Sequence, residues 1–358
     1  MDLSRLSRGF IDWVKGRLRP APRTPLQPRR GPVSHVIILD GTMSSLESGH
    51  ETHAGMTYKL LREEGHASVY YEPGIQWTEW RSAPDVLVGR GINRQIRRAY
   101  GFLASRYRPG DRIYLMGYSR GAFAVRSLAG IIDMVGLLKA EHATERNIRD
   151  IYRHYECAPD GEAARAFSDL YCHTHVTIDM LGVWDTVKAL GVRLPFFWKV
   201  SAARHEFHNH DLGASVRNGF QALAMNETRV VYAPVLWDCP DGWTGRVEQV
   251  WFRGTHGDIG GQLGGYEAAR PLANISLVWM LERVEACGLP LPTGWAGRFA
   301  CDADAPSVGL WRGYGKWFLL RKPRVIGSTP SEHVHASAQT TLDRPGWINW
   351  WHGAGRPV

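Results

Sequence analysis

The sequence predicts an α/β fold, in which a mostly parallel sheet is covered by helices. Short aliphatic runs alternate with helical stretches from residue 33 onward, and this order produces parallel strands joined by crossover helices. The runs are short and rich in β-branched residues, as expected of strands that are buried on both faces. Polar residues follow three of these runs directly, which places them at the edge of a parallel sheet where ligands bind.

The elements of the first half have clear end signals. Asp40-Gly41-Thr42 follows the first strand, Pro73-Gly74 stops the second, and Pro109-Gly110 ends a surface helix. In chain order the predicted elements are a strand at 35–39, a helix at 56–64, a strand at 67–71, a helix at 91–107, a strand at 113–116 and a helix within 122–138.

The second half continues this pattern as far as residue 286. After two helical stretches over about 145–170, the predicted elements are a strand at 176–183, a helix near 215–227, a strand near 233–237, a last strand at 247–252 and a helix over about 268–286. Beyond Pro290 the chain is rich in Trp, Gly and Pro and has little periodicity, so no element is predicted there.

These elements predict one catalytic domain over residues 33–358. Lid-like insertions are predicted at about 140–172 and 188–215, the second with an apolar patch at 194–198 that suits an acyl chain or packing on the core equally well. The region from about 290 to 358 is predicted to be an irregular extension.

The first 32 residues are predicted to form a basic tail. Residues 1–19 have a helical apolar pattern among basic side chains, and residues 20–32 form a Pro/Arg-rich linker. The helix is suited to peripheral contact with an anionic membrane, although packing on the domain or a frayed tail explains the pattern as well. Its apolar residues are Leu3, Leu6, Phe10, Trp13 and Val14.

Charge and composition exclude several classes of protein. The formal net charge is +8, but residues 1–30 hold eight Lys or Arg against two Asp, so no basic working face for nucleic acid is expected on the globule. Five cysteines without C-x-x-C spacing predict a reducing compartment. Neither a membrane-spanning run nor a signal peptide is visible, so we expect cytoplasmic residence, peripheral membrane contact, or export without a signal peptide.

No cofactor or metal is predicted. Two histidine groups lack the spacing of a helical H-E-x-x-H motif and have no paired cysteines, so a solvated loop explains them better than a metal site. These groups are His205, His208 and His210 with Asp211, and His173 with His175.

Gly117-Tyr118-Ser119-Arg120-Gly121 is the clearest functional motif. It lies between a predicted strand and a predicted helix, the context that makes a G-x-S-x-G match a nucleophile elbow. Gly117 and Gly121 relieve the crowding of the sharp turn because they carry no Cβ. Taken alone, the motif also fits an ordinary turn bounded by glycines.

Asp185 and His256 extend this motif to a catalytic triad with Ser119. Each of the three follows a predicted buried strand, and the order Ser, Asp, His is that of α/β-hydrolases. Ser119 would attack an acyl carbon, His256 would take its proton, and Asp185 would orient the imidazole. Taken singly, Asp185 also fits a helix N-cap and His256 a hydrogen-bonded surface residue.

An oxyanion hole is predicted from backbone N–H groups. The N–H of Arg120 lies at the start of the helix after the elbow, where the helix dipole favours negative charge. A second donor is expected from the turn Gly41-Thr42, after the first strand. Asp40 is expected to hold this turn together and not to take part in the chemistry.

Further segments agree in order with a known family. They are Tyr70 to Gly74, Arg126 to Gly130, Gly182 to Val187, Ala222 to Ala224, and Trp251 to His256 with Gly260-Gly261, beside Asp40 to Thr42 and Gly117 to Ala122. Over about residues 34–287 the chain resembles the α/β-hydrolase family that includes the catalytic domain of type VI secretion phospholipase effectors. The chain departs from the family pattern at Met56-Thr57-Tyr58, where Thr-Asn is usual, and at Gln262, where a third glycine is common.

This resemblance implies a lipase site on Ser119, Asp185 and His256, phospholipid esters as substrates, and a secretion-system or immunity partner. Residues and resemblance together predict a serine hydrolase that cleaves lipid carboxylic esters, of phospholipase A type, through an acyl-serine intermediate. An esterase for small soluble esters and a non-catalytic scaffold that retains the hydrolase fold are the alternatives. Kinship at the level of the fold does not decide among them.

Overall fold

The computed structural model describes residues 30–74, 90–187, 212–238, 242–311 and 319–342. The chain divides into two units, 1–32 and 33–358, and the elements described here belong to the second. The predicted amphipathic helix at 1–19, the apolar patch at 194–198 and the histidine group at 205–210 lie outside the described residues.

A seven-stranded sheet with all neighbours parallel forms the centre of the domain, in the order β2-β1-β3-β4-β5-β6-β7. The strands are β1 (Ser34–Leu39), β2 (Ala67–Glu72), β3 (Arg112–Tyr118), β4 (Met180–Trp184), β5 (Asn218–Ala224), β6 (Arg246–Phe252) and β7 (Glu332–Val334).

Helices cover both faces of this sheet. They are α1 (His53–Glu64), α2 (Arg90–Ala104), α3 (Arg120–Met134), α4 (Glu145–Cys157), α5 (Glu162–Tyr171), α6 (His256–Gly260), α7 (Arg270–Ala286) and α8 (Ala336–Leu342). Buried residues of α2, α3 and α4 share one core cluster, and those of α1 and α7 share another.

Strand β1 shows why the strands are apolar along their whole length. Its successive residues alternate between the two clusters: Ile37 and Leu39 pack with the helices of one face, whereas Val36 and Ile38 pack with those of the other. Since neighbouring side chains of a strand point to opposite faces, a sheet covered on both faces has no polar side.

The predicted α/β-hydrolase fold is confirmed. The sheet is parallel, helices lie on both faces, and the G-x-S-x-G turn joins the central strand β3 to α3. Because parallel strands end at the same edge of the sheet, the ends of β3, β4 and β6 bring distant stretches of the chain together.

The predicted helix near 215–227 is wrong, because this stretch contains β5. Helix-forming Gln, Ala and Met residues suggest a helix here, but Asn218–Ala224 pairs in parallel with both β4 and β6. Six of its seven residues are buried. A strand buried on both faces lacks the alternating pattern that identifies a strand, so periodicity could not distinguish it from a buried helix.

The strand predicted near 233–237 is also wrong. Pro234 has no N–H to donate to a ladder, and side chains satisfy the neighbouring backbone. The Gln249 amide accepts from Trp237 N–H at 2.8 Å and donates to Trp237 O at 3.0 Å, and the Arg126 guanidinium donates to the carbonyls of Val235 and Leu236.

Two further strand predictions need correction. Strand β4 begins at Met180 and not at residue 176, and Ile178 forms only an isolated bridge with Val216. Strand β6 is not the last strand, because β7 pairs in parallel with it. The region beyond Pro290, for which no element was predicted, therefore contributes both β7 and α8 to the domain.

Candidate active site

Ser119 occupies a strained turn between β3 and α3. Its φ of 57° and ψ of −119° lie outside the regions that L-residues ordinarily adopt. Gly121 makes the turn possible, because a Cβ at this position would lie 2.0 Å from the carbonyl oxygen of Leu39. A Cβ on Gly117 would lie 2.7 Å from Gly121. The local geometry is therefore that of the predicted elbow.

The structure brings Ser119, His256 and Asp185 together in a row. His256 Nε2 lies 2.9 Å from Ser119 Oγ, and His256 Nδ1 lies 2.6 Å from Asp185 Oδ2. All three residues are buried, and Asp185 is completely inaccessible. Asp185 also has a positive φ of 43° at the end of β4, which is uncommon for a residue other than glycine. Their catalytic roles stay a prediction that the experiments below test.

The protonation state of Asp185 fixes the direction of the hydrogen bonds that join it to His256 and His256 to Ser119. Burial alone raises the pKa of a carboxyl group, but the charge of Arg324 and hydrogen bonds from His256 and Arg324 hold the pKa of Asp185 well below its usual range. An ionised carboxylate only accepts hydrogen bonds, so His256 Nδ1 carries the proton. In the neutral imidazole Nε2 is then the acceptor for the Ser119 hydroxyl.

His256 is the first residue of the short helix α6 and is held from several sides. Tyr118 Oη–H donates to its carbonyl at 3.2 Å, and its own N–H donates to Glu227 Oε2 at 3.2 Å. The ring of Tyr232 stacks on the imidazole with centroids 4.4 Å apart. The Asp258 carboxylate accepts from the N–H and hydroxyl of Thr255, which precedes His256.

Of the three candidate donors to the oxyanion, the N–H groups of Arg120, Gly41 and Thr42, one is occupied. Gly41 N–H donates to Asp40 Oδ1 at 2.6 Å, so it is not available to a substrate oxygen in this arrangement. Among the described residues no acceptor is recorded for the N–H groups of Arg120 and Thr42. The Arg120 guanidinium donates to Thr42 Oγ1 and joins the two sides of the candidate hole.

Asp40 organises the turn next to the candidate hole, as expected. Its buried carboxylate also accepts from Thr52 Oγ1 at 2.6 Å and from the Tyr71 hydroxyl at 2.7 Å. Burial raises the pKa of Asp40 to about 6, although these hydrogen bonds oppose the rise. From the other side, Gln262 Nε2 donates to the carbonyl of Thr42 at 2.9 Å.

Sequence reasoning missed four residues of this site: Glu227, Tyr232, Gln262 and Arg324. Gln262 stands out only as a departure from a glycine pattern. The other three have no motif and no spacing that points to the site, because they contact it through loops. Arg324 lies in the region for which no element was predicted, and it binds Asp185 across 139 positions of sequence.

No metal centre is recorded in the part of the chain that the structure describes, where no three His, Cys, Asp or Glu side chains are grouped to hold an ion. His173 and His175 belong to this part. Within it, no helix has the length and apolar character needed to cross a bilayer.

Comparison with known families shows to which family the chain belongs. Residues 34–283 match the family model described as "T6SS, Phospholipase effector Tle1-like, catalytic domain". The chain belongs to this family. The matched residues of this Tle1-like domain contain Ser119, Asp185 and His256, whereas Arg324, β7 and α8 lie beyond them.

The Tle1-like domain is also similar to a curated protein. An uncharacterized protein of Saccharomyces cerevisiae (strain ATCC 204508 / S288c), YEL023C, is 30% identical over 184 residues. This match covers 44% of the present chain and 27% of the yeast protein. The chain therefore spans only about a quarter of the curated relative that it matches.

Three solved structures share limited similarity with the domain. The Tle1 effector bound to the VgrG spike of the type 6 secretion system is 19% identical with a TM-score of 0.37, over 66% of this chain and 52% of that chain. An uncharacterized protein from Pseudomonas aeruginosa is 13% identical with a TM-score of 0.38, over 84% and 53%. The apo form of Thermogutta terrifontis esterase 2 is 11% identical with a TM-score of 0.38, over 75% and 89%.

Proposed function

We propose that this chain hydrolyses carboxylic esters of phospholipids, with Ser119 as nucleophile, His256 as general base and Asp185 as the residue that orients the base. The observation that carries this proposal is the unbroken row of hydrogen bonds from Ser119 Oγ through the imidazole to the buried carboxylate. Family membership supports the choice of a phospholipid substrate. A partner from the secretion machinery is proposed on the same ground.

The geometry supports an acyl-transfer reaction in two halves. In the first, Ser119 Oγ attacks the ester carbonyl while its proton moves to His256 Nε2, and the imidazolium then protonates the departing alcohol. The acyl group is left on Ser119. In the second half, water gives a proton to His256 and attacks the acyl-serine, which releases the fatty acid and regenerates the hydroxyl.

The tetrahedral intermediates of both halves carry a negative oxygen. The N–H groups of Arg120 and Thr42 are the proposed donors to this oxygen, because a preorganised donor at a developing charge stabilises the transition state more than the ground state. The N–H of Gly41 is left out of the proposal because Asp40 accepts it. Gln262 and Asp40 hold the turn that carries Thr42.

Attack at a carbonyl carbon makes the proposed activity of phospholipase A type. The products are a free fatty acid and a lysophospholipid, whereas cleavage at phosphorus would leave diacylglycerol or phosphatidic acid. The test is mass spectrometry of mixed-chain phosphatidylcholine and phosphatidylglycerol vesicles after incubation with wild-type or Ser119→Ala protein. We expect fatty acid and lysophospholipid with the wild type only, and the identity of the fatty acid gives the acyl position.

Three other results would contradict the proposal in different ways. A short-chain lecithin that is cleaved at the same specific rate below and above its micellar concentration would favour an esterase for small soluble esters. No product above the Ser119→Ala background on any ester, with both proteins folded, would favour a non-catalytic scaffold. Diacylglycerol or phosphatidic acid as the product would exclude the acyl-serine route.

A further inference from the structure

Arg324 makes a bidentate ion pair with Asp185 inside the domain. Its Nη1 lies 2.5 Å from Oδ1 and its Nη2 lies 2.9 Å from Oδ2. Only 3% of the Arg324 side chain and none of the Asp185 side chain is exposed. The guanidinium also donates to the carbonyls of Ala224 and Tyr232, at 2.9 Å and 2.5 Å. Four acceptors thus fix the plane of the guanidinium.

Each oxygen of the Asp185 carboxylate accepts two hydrogen bonds. Asp185 Oδ1 accepts from the Ala224 N–H at 3.0 Å and from Arg324, and Oδ2 accepts from His256 and from Arg324. Rotation of the carboxyl group would break bonds on both oxygens at once. Arg324 therefore holds the oxygen that faces the imidazole in place.

We propose that Arg324 is a positioning residue of the active site, and that it acts by keeping the Asp185 carboxylate in the form and orientation that select the productive tautomer of His256. This inference rests on the proposed ester hydrolysis. Arg324 touches neither Ser119 nor the position of the scissile bond in this proposal, so its effect reaches the chemistry through Asp185 and His256.

The physical reason is the free-energy cost of keeping a buried carboxyl group ionised next to the neutral imidazole of His256. Burial raises the pKa of a carboxyl group, and the Arg324 charge and hydrogen bonds reverse this effect for Asp185. Without the guanidinium, a protonated Asp185 would donate to His256 Nδ1. The ring proton would then be on Nε2, which faces Ser119. A protonated Nε2 cannot accept the proton of the Ser119 hydroxyl.

The location of Arg324 gives the region after α7 a role in the site. The backbone around it pairs with the loop that carries Tyr232: Lys322 N–H donates to Thr228 O at 2.7 Å, and Val230 N–H donates to Leu320 O at 3.1 Å. Two residues after Arg324, Ile326 packs in a buried cluster with residues of β5 and β6. This region lies beyond the residues 34–283 that the family model matches, yet it supplies a contact to the triad.

Arg126 offers a matched control. It is a second buried arginine whose guanidinium donates to backbone carbonyls, those of Val235 and Leu236, and to the Gln221 side chain. Arg324→Met and Arg126→Met should both lower the unfolding temperature, because each removes a buried guanidinium and leaves its acceptors unpaired. Only Arg324→Met should impair the chemistry.

The experiment measures kcat and KM for a p-nitrophenyl ester between pH 5.5 and 9, normalised to the folded fraction, for wild type, Ser119→Ala, Arg126→Met, Arg324→Met and Arg324→Lys. We expect kcat to fall by about 100-fold or more in Arg324→Met, with KM nearly unchanged. The loss of kcat should be larger at low pH, because Asp185 takes up a proton more readily in this variant than in the wild type. Arg324→Lys keeps the positive charge but lacks the planar pair of donors that contacts both carboxylate oxygens. Its kcat should therefore lie between those of the wild type and Arg324→Met. Two further variants test rescue: low concentrations of guanidinium ion should restore part of the activity of Arg324→Ala and leave the activity of Arg126→Ala unchanged.

Three outcomes would overturn this inference. Folded Arg324→Met with wild-type kcat and an unchanged pH profile would contradict it while leaving the proposed function standing. If Arg324→Met does not fold, folded Arg324→Lys with wild-type kcat and pH profile would have the same consequence. Wild-type protein with no more activity than Ser119→Ala would instead overturn the proposed function, and the inference with it.

Discussion

The ring of Tyr232 lies parallel to the imidazole of His256, with centroids 4.4 Å apart and an interplanar angle of 15°. The Arg229 guanidinium is 4.4 Å from the centroid of the Tyr232 ring. An aromatic face next to a histidine fixes the tilt of the imidazole and, in the proposed mechanism, attracts the positive charge that the ring would acquire.

We therefore expect Tyr232→Leu to lower kcat by about fivefold, which corresponds to about 1 kcal/mol for an aromatic pair, with little effect on KM. Tyr232→Phe keeps the stacked ring and is the control, so its kcat should stay near that of the wild type. Steady-state rates on one ester substrate decide the matter. Equal losses in both variants would show that the hydroxyl matters and the stack does not.

Replacement of Asp185 by Asn tests the orientation of the base. The amide can donate to Nδ1 and thereby stabilise the wrong tautomer, so we expect kcat to fall by about 10⁴-fold, as in a comparable triad. Rates should be compared at saturating substrate on protein whose folding is verified by circular dichroism. A loss of tenfold or less would mean that another carboxylate orients His256.

The elbow glycine Gly121 should tolerate no side chain. A Cβ there would lie 2.0 Å from the carbonyl oxygen of Leu39 and 2.6 Å from that of Asp40, and backbone atoms cannot move aside as a flexible side chain can. We expect Gly121→Ala to lower the free energy of unfolding by about 3 kcal/mol. Denaturant titration measures this effect.

Gly297→Ala is the matched control, because no heavy atom lies within 4 Å of the position that its Cβ would take. The change in unfolding free energy there should stay within about 0.5 kcal/mol. Wild-type stability for Gly121→Ala would show that β1 and α3 are farther apart than this contact requires.

The raised pKa of Asp40 predicts a pH-dependent contribution to stability. Burial raises this pKa from 3.8 to about 6, so the folded state binds the proton more tightly than the unfolded state. The contribution is present in full below pH 3.8 and is lost as the pH rises through 6. Between pH 4 and 7 the wild type should lose up to about 3 kcal/mol relative to Asp40→Asn, which has no proton to lose.

Unfolding free energies of both proteins at several pH values in this range provide the measurement. The relevant quantity is the difference between the two curves, because other groups contribute equally to each. Curves that stay parallel from pH 4 to 7 would contradict the raised pKa.

The sequence predicted those parts of the fold that have local signals. Strand β1 ends in a polar turn, β3 enters a glycine-bounded motif, and α2 has an apolar stripe, although this helix ends at Ala104, ahead of Pro109-Gly110. Strand β5 was predicted as a helix because a strand buried on both faces has no alternation, and its helix-forming residues then decided the assignment.

In the site, too, the sequence predicts the residues that have a local signal and misses those that reach the site from distant parts of the chain. Ser119, Asp185 and His256 were placed together because each follows a strand of one parallel sheet. The occupation of the Gly41 N–H depends on the rotamer of Asp40, which spacing does not specify. Arg324 approaches Asp185 from 139 positions away and through a loop, so no periodicity could reveal it.

The most direct test of the central claim is covalent labelling with a fluorophosphonate probe, followed by intact mass and peptide mapping. We predict one label per folded wild-type molecule, on the peptide that contains Ser119, and none on Ser119→Ala under the same conditions. Folded wild-type protein that takes up no label, or Ser119→Ala that is labelled as fast as the wild type, would contradict the claim that Ser119 is the nucleophile of a serine hydrolase.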